Sequence, residues 1–275
     1  MTFSINTNGA SLLALQNLNA TSTALQQTQN EISTGLKVSG PTDNGAIWAI
    51  AQNQRSDISA LDTVTDSLNR AVSTVDVAVS AGQSISDLLN QMKSKALAAT
   101  DTSLDTSSIT ALNNDYTALR NQIGQIVSNA TFNGVNMINT GGTSIMALAN
   151  ASGSSKLTVA ANNFGLGEST VTVTAAASFS SNATASAQLA LVNASITNVN
   201  AAVAKLGTGV NALQTQLSFV SSLQDSLTTG VGNLVDADVA KESASLTALQ
   251  TKQQLGIQAL SIANSSSSAL LSLFH

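Results

Sequence analysis

Residues 189–234 read LALVNASITNVNAAVAKLGTGVNALQTQLSFVSSLQDSLTTGVGNL, and two interleaved seven-residue series run through them. One is Leu189, Ile196, Val203, Val210, Leu217, Gln224 and Val231; the other is Val192, Val199, Leu206, Leu213, Val220, Leu227 and Leu234. Thirteen of these fourteen positions are apolar, so one helix would carry a continuous stripe at three-four spacing. That is the pattern of a helix packed lengthwise against another. It runs on through Gly207 and Gly209, each costing about 1 kcal/mol of helix propensity, so packing has to outweigh them.

A matching partner lies upstream. Leu61, Leu68, Val75, Gly82, Leu89 and Ala96 form one series, and Val64, Ala71, Ala78, Ile85, Met92 and Ala99 the other. Ile47 and Ile50 extend the phase backwards, so the spacing predicts one helix over 45–99. At 1.5 Å per residue it would be roughly 80 Å long. A third helix follows an N-cap at Asp105 or Thr106, with Ile109, Leu112, Tyr116, Leu119, Ile123, Ile126 and Ala130 on one face. It ends at the Asn133-Gly134 turn signal. Between 143 and 175 the period changes to two (Ile145, Ala147, Ala149; Leu157, Val159; Val171, Val173), which predicts a small β-rich insertion of two or three strands.

Composition narrows function by what is missing. Only 9% of the 275 residues are charged, against about 25% in ordinary domains, while 43% are hydrophobic and 3% aromatic. There is no cysteine, and the one histidine is His275. Thiol catalysis, a histidine-based triad and a multi-histidine metal site therefore cannot be built in one chain. A net charge of −5 argues against nucleic acid as a partner. No uninterrupted apolar run approaches the roughly 18 residues of a membrane span. The first residues, Met1-Thr2-Phe3-Ser4-Ile5-Asn6, do not form a signal peptide, so export would need another route.

The two ends differ in kind. Leu12, Leu15, Leu18, Leu25 and Ile32 lie before a break at Gly35, Gly40 and Pro41. From Asp236 to His275, apolar residues including Leu246, Leu249, Leu255, Ile257, Leu260 and Ile262 surround much of the helix, and the chain closes on Leu270, Leu271, Leu273 and Phe274. A helix apolar on several faces has to be buried on several faces. An antiparallel helical hairpin whose termini meet cannot do that alone. Copies of the chain burying one another would, and repeated contacts of that kind build an open helical polymer. The fold expected is mainly α: a long antiparallel coiled-coil rod with a small β-hairpin insertion, the subunit of a polymer.

Both ends also resemble a known family. Ser4-Ile5-Asn6-Thr7-Asn8, Leu12 to Leu18, Ile32-Ser33-Thr34-Gly35-Leu36-Lys37-Val38, Asp43-Asn44-Gly45-Ala46 and Phe132-Asn133-Gly134 are similar to the N-terminal part of bacterial flagellins. Asp236 to Glu242, Leu249-Gln250, Gln253-Gln254-Leu255-Gly256, Ala259-Leu260, Ala263-Asn264 and Leu271 to Phe274 are similar to the C-terminal part. The resemblance is closest to short flagellins of alphaproteobacterial type. It implies an inner domain of terminal helices over 1–39 and 236–275, and an outer rod-like domain over 40–235 carrying the insertion. It implies a filament subunit outside the cell, exported through the flagellar type III channel and working in motility. Its partners would be copies of itself, alone or mixed with related flagellins, plus junction and cap proteins and an export chaperone. No cofactor, nucleic acid, membrane or enzymatic activity is expected. Polymerisation would fall to Ile5, Leu12, Leu15, Leu18, Leu25, Ile32, Leu246, Leu249, Leu255, Ile257, Leu260, Leu270, Leu271, Leu273 and Phe274. A hook–filament junction protein and a secreted helical adhesin are the alternative readings.

Smaller motifs have plain explanations. Met92-Lys93-Ser94-Lys95-Ala96-Leu97 stands where many flagellins carry an immune-receptor motif, with lysines for its arginines and Ala96 for its glutamate. Lysine lacks the planar fork of arginine, so a filament contact with poor receptor activation is expected. Asn-x-Ser/Thr tripeptides such as those at Asn19, Asn129, Asn150, Asn182 and Asn193 are what an Asn- and Ser-rich chain produces by chance. Gly165-x-Gly167 lacks the lysine of a phosphate loop and reads as a turn. Trp48 reads as a core or interface anchor.

Overall fold

The computed structural model describes residues 7–271, with side chains over 7–265. The elements in chain order are α1 (Gly9–Thr34), α2 (Gly45–Ala98), α3 (Thr106–Asn129), β1 (Thr131–Phe132), β2 (Val135–Asn136), β3 (Ile145–Leu148), β4 (Lys156–Val159), α4 (Asn182–Val235) and α5 (Val239–Leu271). They form two compact units, one made of 1–56 and 226–275, the other of 57–225.

The core of the central unit is the seam the heptads describe. All twelve positions of the two α2 series are buried, Gly82 included. On α4, Val192, Val199, Leu206, Leu213 and Val220 are fully buried, while Leu189, Ile196, Val203, Val210, Leu217 and Gln224 flank them half-buried. Each fully buried Leu or Val contributes about 1.5–3 kcal/mol by leaving water. Cross-helix bonds show that α2 and α4 run antiparallel here: Ser86 Oγ donates to Asn200 Oδ1 at 2.9 Å, and Gln224 Nε2 to Asp62 Oδ1 at 2.8 Å. The start of α4 also finishes α2, because Asn182 Nδ2 donates to the Ala99 and Asp101 carbonyls left open at the C-terminal end of α2.

Helix α3 starts where Asp105 accepts the Ser108 N–H at 3.0 Å. These bonds, first from Ser107 and Ser108, hold the Asp105 carboxyl down at about 2. Tyr116 is fully buried on α3, edge-on to Phe179 with ring centroids 5.2 Å apart. Burial pushes its phenol up to about 12, with the positive charge of Arg120 opposing.

The β content matches the sequence expectation over 145–159 and differs on either side of it. The Asn133-Gly134 turn closes a hairpin, β1 with β2, which the periodicity did not show. β3 and β4 pair antiparallel from Ile145↔Val159 to Leu148↔Lys156. Val171 and Val173, expected in a strand, are fully buried but lie outside any named strand. Their carbonyls both accept the Gly167 N–H, at 2.9 and 2.8 Å, so the Gly165–Gly167 segment is a turn. Residues 160–181 instead pack as irregular chain on α3 and α4. The Thr172 N–H donates to Ser195 Oγ, the Phe179 N–H donates to Asn113 Oδ1, and Arg120 Nη1 donates to the Ala177 carbonyl.

Two helical glycines make room for this insertion. A Cβ on Gly82 would sit 2.6 Å from Val203 and 2.9 Å from the Phe164 ring; one on Gly209 would sit 2.7 Å from Val159. Gly207 faces open space, and nothing in the structure explains it.

In the terminal unit, α1 and α5 pack side by side. Asn8 caps α1, accepting the Ser11 N–H at 3.1 Å, and its Nδ2 donates to the Ala263 carbonyl at 2.8 Å. At its far end α1 stops at Gly35, whose φ of 70° needs a residue without a side chain. There the Lys37 and Val38 N–H groups both donate to the Val235 carbonyl, and the Ala237 N–H to that of Gly35. Helix α5 then begins under Asp238, whose Oδ1 accepts the Ala240 and Lys241 N–H groups.

Candidate functional site: the terminal helices

Helix α5 has almost nothing to bury itself in. Of its described side chains none is buried; the half-buried ones include Leu246, Leu249, Gln253, Gly256, Leu260 and Ala263. These recur at three-four spacing and form the stripe turned to α1. Contact is close at Gly256, where a Cβ would lie 3.2 Å from Leu18 Cδ1. On α1 the buried side chains are Thr21 and Thr28, with Leu18, Leu25 and Ile32 half-buried beside them.

The remaining apolar residues face outward. Leu255, Ile257 and Ile262 are 59%, 55% and 68% exposed, and Leu12, Leu13 and Leu15 are exposed along α1. Between the helices runs an open groove of about 580 Å³, lined by small α1 residues such as Ala14, Ala20 and Ala24 and by Leu249, Leu255 and Ala259. Lys252 is the charged group on its wall. An apolar surface of this kind on an isolated chain marks a contact with another molecule.

The expected polymerisation residues thus fall into three groups. Leu18, Leu25, Ile32, Leu246, Leu249 and Leu260 hold the α1–α5 pair together; Leu12, Leu15, Leu255 and Ile257 are turned outward. Ile5, Leu273 and Phe274, and the side chains of Leu270 and Leu271, lie outside the described residues. Leu13, Ile262 and Val239 are exposed apolar residues missing from that set. Leu13 could have been found, because Leu12 and Leu13 are adjacent and cannot both face one neighbour on a helix.

The motif at 92–97 is divided between core and surface. Met92 and Ala96 are fully buried in the central unit, while Lys93 and Leu97 are exposed. Lys95 pairs with Asp115 at 2.7 Å, both partly exposed, so the pair adds little to stability. Trp48 is half-buried near the start of α2. Among the described residues no three His, Cys, Asp or Glu side chains cluster as metal ligands would. Helix α4 is long and apolar enough on average to cross a membrane, but its most apolar stripe forms the seam of the central unit.

A family model described as the bacterial flagellin N-terminal helical region matches residues 5–143, and its C-terminal counterpart matches 189–274. The chain is a bacterial flagellin. This flagellin is 52% identical over 272 residues to flagellin FljM of Caulobacter vibrioides, covering 99% of this chain and 98% of that one. It is 50% identical to flagellin FljK of the same organism, with the same coverage, and 38% identical to a Brucella melitensis flagellin over 99% of each chain. A crystal structure of Bacillus cereus flagellin aligns with 55% of this chain and 86% of that one at 25% identity, with a TM-score of 0.49. The protein is a short flagellin of alphaproteobacterial type, a structural subunit of the extracellular flagellar filament.

Proposed function

We propose that this flagellin joins the filament through the outward apolar faces of α1 and α5, and that assembly is their burial against other copies. The observation that carries this reading is α5: a 33-residue helix without one buried described side chain, bearing Leu255, Ile257 and Ile262 in water. Burying apolar area is the whole driving force, so polymerisation uses no nucleotide, cofactor or catalytic step. In this reading 1–39 and 236–275 form the inner domain and 40–235 the outer one, and the backbone bonds between Gly35–Val38 and Val235–Ala237 support a division near there. By the family resemblance Ile5, Leu270, Leu271, Leu273 and Phe274 would also serve in polymerisation.

Purified chain, examined by electron microscopy, is expected to form long helical filaments, and removal of 236–275 to leave a soluble helical protein that forms none. Filaments from the truncated chain would remove α5 from assembly. Junction and cap proteins would meet the same exposed helices, and an export chaperone would cover α5 before assembly. A chaperone complex that survives the deletion would place that partner elsewhere.

A further inference from the structure

Three Asn–Gly steps occur, at Asn8–Gly9, Asn44–Gly45 and Asn133–Gly134. Such steps share a chemical weakness, because glycine places no side chain between its own nitrogen and the preceding carboxamide. The fold treats the three differently. The Asn8 carboxamide is held at both atoms, by the Ser11 N–H and the Ala263 carbonyl. Asn44 caps α2, its Oδ1 accepting the Ile47 N–H at 3.1 Å. Asn133 is exposed, and its carboxamide makes no hydrogen bond among the described residues. It also sits at φ 48°, in the left-handed region that asparagine tolerates better than most residues with a side chain. The hairpin around it has two residues per strand, and so short a ladder opens readily.

We propose that Asn133 is the site at which this chain is chemically modified in place, by loss of ammonia to give aspartate and isoaspartate. When the turn opens, the Gly134 nitrogen loses its proton and attacks Cγ of Asn133. The new C–N bond closes a five-membered imide, and Nδ2 leaves as ammonia. Water then opens the imide at either carbonyl. The side-chain carbonyl yields isoaspartate when it stays in the main chain, and the other opening yields aspartate; one water is consumed and one ammonia released. Arg70 lines the same groove as Asn133, and a guanidinium that approached the turn would favour both the deprotonated nitrogen and the carboxylate product. Isoaspartate adds a methylene to the main chain, so it lengthens the turn and removes the need for a left-handed residue there.

The test is to hold the purified full chain in mildly alkaline buffer, follow deamidation at each step by peptide mass mapping, and detect isoaspartate by enzymatic methylation. Asn133 should react well ahead of Asn8 and Asn44, and Gly134→Ala should slow formation of the product pair at 133 by about tenfold or more. In strong denaturant the three steps should react at similar rates, since only the fold separates them. Asn8 or Asn44 keeping pace in the folded chain would overturn the proposal. So would the same ranking in denaturant, which would trace the difference to neighbouring residues rather than to structure.

Discussion

Helical glycine has two opposite meanings in this chain, and substitution separates them. Alanine at Gly207 meets no neighbour, so it should stabilise by about 1 kcal/mol through helix propensity alone. Alanine at Gly82 gains the same propensity but drives a methyl into Val203 and the buried Phe164 ring. Overpacking of this kind costs about 1–3 kcal/mol, so the net should be a loss, read as a lower midpoint in urea. A stabilised Gly82→Ala would show that the insertion yields more easily than its burial implies. Acid separates another residue. The Asp105 carboxyl is held at about 2 against an ordinary 3.8, so its contribution to α3 is present above pH 3.8 and is lost as pH falls through about 2. Carboxyl NMR titration should place its midpoint near 2, and Asp105→Asn should flatten the stability curve between those two values. A midpoint near 3.8 would mean that the cap does not hold in solution.

Among the elements, the helices and the β3–β4 hairpin were legible in the sequence, while β1, β2 and the irregular chain around Val171 were not, for a physical reason. A seam of 54-residue helices repeats its signal many times, so a single glycine or glutamine does not obscure it. The insertion has strands of two or four residues and is held by distant groups, such as Ser195 on α4 and Asn113 on α3. Nothing near Val171 in the chain announces those partners. Alternation marked Val171 and Val173 as buried, and they are; it could not say that they bond to Gly167 rather than to a strand. The proposed assembly surface was legible in the same partial way. The apolar circumference of α5 pointed to it, while the choice of which residues face α1 required the packing. Gln224 is the polar exception in the α4 series, and its amide reaches the Ile58 carbonyl and the exposed Asp62. Both acceptors are served without it, one by its own helix and one by water. Gln224→Leu should therefore add buried apolar area and stabilise by about 1 kcal/mol in thermal unfolding. A destabilised variant would show that the cross-helix bonds outweigh that area.

For the whole molecule the scarcity of charge and the unburied terminal helices are one property. A chain with 25 charged side chains among 275 residues keeps few ions on the surfaces that have to meet copies of itself, so it avoids the cost of desolvating them. The triple variant Leu255→Gln, Ile257→Gln, Ile262→Gln isolates that property. These side chains already face water in the single chain, so their replacement should change its unfolding by no more than about 0.5 kcal/mol each. In the filament the same three positions would each carry a buried amide, at about 1–3 kcal/mol apiece. The variant should remain monomeric at concentrations where the parent chain polymerises, as sedimentation would show. Parent assembly should strengthen with sulfate and weaken on cooling, because apolar burial responds to both in that sense. A triple variant that polymerises like its parent would move the subunit contact away from this face of α5.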